Sequence, residues 1–387
     1  VYEEKEPKQI KKHVDTISMM LETEVNSGNY EMTTASSWPT EGYVFNTELS
    51  KCENGGELSW DDENKRVLMS GNVSDKCYVY FDVYVPPTIA DFCNSGDTLA
   101  TCVKNFGDQG SEISNIYIHN SSLENGAGDN SYRYAGANPN NYVCFGSNES
   151  PCPTDNLYRI IGVFGDQVKL IKYDYATSAL LGTDGDYEGQ YAYGNDYYKG
   201  SNYANIAAYS WTNSTKKNTW SESLLNKTNL NTNFINNIGT EWANKIATTT
   251  WKVSGYTTSG VTAKTMYTAE ITNATKTFGP SDGTSKIGLM YVSDYGFAAE
   301  PSAWTLTMEN YNNTTATSAN WMYMGLYEWT ISCLADNSDR AFFVTNGGYV
   351  YYYPVGSYSG ARPSFNLESA ITYVSGSGSA DDPILIN

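Results

Sequence analysis

Six of the seven cysteines fall in the first 152 residues as three close couples: Cys52 with Cys77, Cys93 with Cys102, and Cys144 with Cys152. Each couple flanks a short polar loop, a pattern suited to local disulfides formed in an oxidising compartment. Spacing alone leaves the connectivity open. Cys333 stands apart and reads as a free thiol. There is no Cys-x-x-Cys, and His13 and His119 are the only histidines, so a Cys/His metal site is not encoded.

The formal net charge of −19 argues against nucleic acid, whose phosphates require a basic patch, and against docking on anionic lipid. No apolar run approaches the roughly 20 residues that span a bilayer, and no signal peptide is visible. Tyr and Gly, at 33 each, accompany abundant Asn, Ser and Thr, a composition fit for loops, strands and contact surfaces.

Along the chain, Ile10, Val14, Ile17 and Leu21 recur at helical spacing and predict an amphipathic helix over Glu3–Val25. Short strands follow at Glu57–Trp60, Arg66–Met69 and Lys76–Val85, ended by Pro86-Pro87. Residues 1–87 thus form a first domain, 88–127 a connector, and 128–387 a second domain. The second opens on a hairpin, Leu157–Phe164 and Gln167–Tyr173 around Gly165-Asp166. Phe234, Ile235, Ile238, Trp242 and Ile246 predict a helix, and strands are expected at Thr250–Val253 and Ile287–Val292. Gly347-Gly348 marks a late turn.

Catalytic signatures are missing. Carboxylates are plentiful, yet no spacing selects an acid pair for glycoside hydrolysis. Neither histidine neighbours a nucleophile motif, and no phosphate-binding loop or dinucleotide fingerprint occurs. No cofactor is called for, although Asp184-Gly185-Asp186 and Asp336-Asn337-Ser338-Asp339 offer hard oxygens for a structural calcium. As turn residues they equally satisfy their own backbone.

Three blocks carry a family resemblance: Gly128–Pro139 followed by Asn156–Val163; Asn229–Phe234 running to Trp242 and Thr250–Val253; and Gly325–Ser332 closing with Gly360–Leu367. Together they resemble the C-type-lectin-like domains of type IV pilin-like surface proteins from low-GC Gram-positive bacteria. The N-terminal part is similar to the globular half of such a pilin. In that family an apolar helix upstream anchors and polymerises the subunit, and the start at Val1 fits its removal. The resemblance implies an α+β fold: an N-terminal helix plus a small antiparallel sheet, followed by a C-type-lectin-like domain. It implies a cell-surface adhesin, not an enzyme, extracellular on a pilus or membrane anchor. Its partners would be a protein or glycan on another cell or phage, and other pilin subunits. The alternatives are a glycan-processing enzyme with an unrecognised carboxylate pair and a purely structural pilus subunit. The Glu-Pro-Asn and Trp-Asn-Asp signatures of calcium-dependent sugar binding are absent.

Some members of that family are variable proteins of diversity-generating retroelements, in which Asn codons become NNC-type codons that cannot encode Lys, Glu, Gln, Met or Trp. Cys333 through Ser359 contains none of these five. The expected variable face comprises Cys333, Leu334, Ala335, Ser338, Asp339, Arg340 and Phe343, then Thr345, Tyr349, Tyr351, Tyr352, Tyr353, Ser357 and Tyr358. Successive strand residues point to opposite faces, so consecutive tyrosines place rings on both, and exposed aromatic clusters mark interaction sites. Arg362 is expected to point inward and hold the framework.

Overall fold

The computed structural model describes residues 16–71, 74–94, 96–191, 206–311 and 318–387, and the chain divides into two compact units, Val1–Pro86 and Pro87–Asn387. Strands make up 32% of the structure and helices 21%, distributed over many small sheets. The architecture is therefore β-dominated, not the α+β pilin-like arrangement expected.

In unit 1 the first described element, Thr16–Glu22, is a strand. It pairs in parallel with Lys76–Val83, Ile17 opposite Cys77 and Met19 opposite Val79. The sheet is thus mixed, since Tyr30–Met32 and Tyr43–Phe45 add antiparallel strands. The helical expectation fails here for an identifiable reason. Ile17 and Leu21 are four residues apart, a spacing that fits one helix face and one strand face alike. Burial of Met19, between them, selects the strand. The rest of the expected helix, through residue 15, and His13 with it, lies outside the described residues. Val79 and Phe81 from Lys76–Val83 form the core with Met19, capped by Trp38 and Trp60. Cys52–Cys77 staples this sheet.

Unit 2 is built on a seven-stranded sheet. Leu157–Phe164 and Gln167–Lys172 form its central hairpin, closed at Gly165, whose φ of 62° lies in the left-handed region that favours glycine. Ser364–Asn366 pairs on the outer side of Gln167–Lys172, and Tyr132–Tyr134 and Tyr142–Cys144 pair with Leu157–Phe164. Residues 88–127 supply Ile89, Leu99, Val103, Phe106 and Ile116 to the core of this unit. Both remaining couples are bonded, Cys93 to Cys102 and Cys144 to Cys152.

The helix expected near Phe234 is a π-helical Leu225–Phe234 that runs on into the helix Ile235–Ala243, and Gly239, at φ 80°, breaks it within that second piece. Only Ile287–Gly288 of the expected strand pairs; Val292 already begins the helix Val292–Ala298. His119 is a packing residue. Its ring sits edge-on to Phe297, Nδ1 accepts the Ala127 amide, and burial with the nearby Arg133 charge pushes its pKa down to about 2.

Candidate ligand-binding cleft

The functional candidate is a three-stranded antiparallel sheet near the C-terminus: Glu328–Cys333, Arg340–Val344 and Val350–Pro354, in that order. Its residues are aromatic and β-branched, and Gly348 (φ 87°) makes the turn joining the last two strands. Register places Phe343 opposite Tyr351 and Ala341 opposite Tyr353 on one face. Phe342 and Tyr352 share the other. Alternation therefore sorts the tyrosines as a pleated strand must.

On the first face lies a cleft of about 550 Å³. Phe343 forms its floor, with Tyr327 and Tyr353 ring centroids 5.6 and 5.9 Å away. Tyr351, Tyr353 and Tyr358 are 43%, 51% and 36% exposed. Thr345 is buried, and its Oγ1 has no hydrogen-bond partner among the described residues. Tyr349 and Ser357 complete the predicted lining, with no charged side chain among the described residues that form it.

The remaining expected site residues lie elsewhere. Cys333 is fully buried; its thiol donates to the Val253 carbonyl, and burial pushes its pKa up to about 11. Leu334 is also in the core. Neither belongs to a binding face: the end of the strand Glu328–Cys333 is covered by residues that the local sequence does not reveal. Tyr352 is half-buried on the opposite face, against Phe342, with the Arg340 guanidinium 5.8 Å from its ring. Ala335, Ser338 and Asp339 form the loop before the second strand, away from the cleft lining.

That loop is held through its main chain. Asn218 Nδ2 donates to the carbonyls of Asn337 and Arg340, its amide to that of Ser338, and the Thr277 amide to that of Ala335. The turn is held the same way: the Tyr295 hydroxyl donates to the Gly348 carbonyl at 2.6 Å, and the Tyr323 hydroxyl to that of Asn346. These anchors use main-chain atoms of the loop and turn, while within the loop the Asn337 side chain also accepts the Asp339 amide.

Sequence reasoning missed Tyr327, Gly356 and Ser359 as lining residues. Tyr327 sits in the block read as framework, and only its position before the strand that carries Trp329 gave a signal. Neither aspartate turn shows a calcium geometry. The carboxylate of Asp186 is taken by the amides of Asn213, Leu224 and Leu225, and Asp184 accepts from Asn233. Asp336 and Asp339 are exposed. Among the described residues, Cys52, Asp75 and Cys77 come close enough to share an ion, but the two cysteines are bonded to each other.

No family model, curated protein or solved structure matches the chain, so neither part of the resemblance gains support from a relative.

Proposed function

We propose that this chain is an extracellular, cell-surface ligand-binding protein, an adhesin or receptor-binding protein, that captures its ligand in the tyrosine-lined cleft. The observation that carries this reading is the exposure of Tyr351, Tyr353 and Tyr358 around a buried Phe343 floor with a Thr345 hydroxyl that has no partner among the described residues. Tyrosine gives large contact area at low entropic cost and dominates binding hot spots. Concave, mostly apolar clefts with a few polar groups are the usual form of a ligand site. Three disulfides accord with an extracellular setting.

A carboxylate-pair hydrolase is less favoured, because among the described residues the cleft lining contains no carboxylate or imidazole. The motif resemblance to heads of bacterial surface proteins supports binding, and we extend the proposal to diversification of Cys333–Ser359. Within that window the exposed positions are Asp336, Asp339, Tyr351, Tyr353, Pro354 and Tyr358. Variation there leaves the main-chain anchors in place.

Screening the full chain against glycan and peptide arrays tests the reading. Discrete hits that weaken in Thr345→Val, which exchanges the hydroxyl for a methyl of similar size, are expected; hits insensitive to the cleft would place binding elsewhere. For diversification, the gene should lie beside a reverse transcriptase and an adenine-mismatched copy of its own 3′ end.

A further inference from the structure

Away from the cleft, Lys169 on the strand Gln167–Lys172 meets Asp294 in the first turn of the helix Val292–Ala298. Nζ lies 2.5 Å from Oδ2, and the side chains are only 4% and 2% exposed. Rings wall the amine, with centroids of Tyr291, Trp251 and Phe164 at 4.3, 5.3 and 5.8 Å. Asp294 is its single hydrogen-bond acceptor among the described residues. On the other oxygen, Arg133 Nη1 stands 3.6 Å from Asp294 Oδ1, while Arg133 pairs more closely with Asp129, at 2.8 Å.

We propose that Lys169 and Asp294 condense after folding into an intramolecular amide, a covalent cross-link between the central sheet and the helix Val292–Ala298. A desolvated lysine that gives up a proton is a competent nucleophile, and here it already touches its electrophile. Burial, the largest influence, pushes the Lys169 pKa down, although Asp294 partly opposes it. Glu270 accepts the amides of Val292 and Ser293 at the same helix start, and its burial lifts its carboxyl to about 7. Below that pH it is neutral and adds no charge that would hold the proton on Lys169.

The step balances without a co-reactant. One proton passes from Nζ to Oδ2 along the existing hydrogen bond. The freed lone pair attacks Cγ, the C–N bond forms, and negative charge gathers on Oδ1, where the Arg133 guanidinium meets it. The C–Oδ2 bond then breaks, and Oδ2 leaves as water with its carboxyl proton and a second proton from nitrogen. Lys169 and Asp294 both border a cleft of about 160 Å³, which gives that water a way out. Holding the partners in contact replaces a bimolecular encounter with an effectively unimolecular one.

Intact-mass spectrometry of the purified full chain, folded, then reduced and denatured, tests the bond. The expected mass is one water below that of the reduced sequence. Proteolysis should release a branched peptide joining Lys169 to Asp294. Lys169→Arg keeps the charge but cannot condense in this way, and should show the full mass. The wild-type digest decides the matter even where that variant fails to fold. Full wild-type mass with the two peptides recovered separately overturns the proposal, and so does a water loss that maps elsewhere.

Discussion

Arg362 Nε donates to Glu328 Oε1 across 2.7 Å, with both side chains 3% exposed or less. A second guanidinium nitrogen donates to the Met322 carbonyl at 2.8 Å. Glu328 opens the first strand of the cleft sheet, and Arg362 lies three residues beyond Ser359, the last residue of the cleft lining. The pair therefore clamps the two ends of the segment that forms the cleft, and Glu328 also bridges Gly360 through the backbone.

Removing one partner of a buried pair strands the other as an uncompensated charge. Arg362→Met should cost about 3–5 kcal/mol in denaturant unfolding. Combining it with Glu328→Leu should recover a large share of that loss. Equal loss in the single and double variants would mean the clamp acts through packing rather than charge.

Much of this was legible in sequence. The cysteine couples, the Gly165-Asp166 hairpin and the inward Arg362 are each local signals: a loop length, a positive-φ glycine, an arginine beside framework residues. What was not legible depended on distant partners. Thr16–Glu22 takes its strand from pairing with Lys76–Val83, which the spacing of Ile17 and Leu21 does not reveal. Cys333 and Leu334 looked variable because their codons permit it, yet Val253 and the surrounding core enclose them. Among the tyrosines, alternation showed that both faces are occupied, but not which face opens on a cleft. That needed the register Phe343 to Tyr351.

Cys333 tests its own burial. A thiol-reactive reagent should leave the native protein unlabelled after reaction at the surface is given time, and should modify Cys333 when the chain is unfolded without reductant. A buried thiol held above its usual pKa is protonated and unreactive. Rapid native labelling would return Cys333 to the surface.

Glu270 should make stability fall with pH. Its folded pKa, about 7, is raised above the ordinary 4.5 by burial, so the folded state holds the proton more tightly. The stabilisation is full below pH 4.5, is lost as pH rises to 7, and amounts to roughly 3 kcal/mol over that window. Denaturant melts of wild type and Glu270→Gln should diverge across that range, with the variant gaining relative stability towards pH 8. Parallel curves would show that Glu270 ionises normally.

The buried face of the cleft sheet and the loop before its second strand should respond differently to truncation. Phe342 is fully buried, and Phe342→Ala should cost about 3–5 kcal/mol. Asp339→Ala, at an exposed loop position, should stay within about 0.5 kcal/mol. Thermal or denaturant unfolding of the two variants checks the contrast, and comparable costs would mean that the loop side chain, not only its backbone, holds the sheet.

The central claim is that the exposed rings bind while the framework beneath them folds. Its most direct measurement is array binding of the full chain beside Tyr351→Ala/Tyr353→Ala, with the unfolding transition of each recorded in parallel. The account predicts that wild-type hits disappear in the double variant, while stability drops by no more than about 1–3 kcal/mol, the value of two aromatic contacts. Hits that persist in the variant, or that vanish only because its cooperative transition is lost, would contradict it.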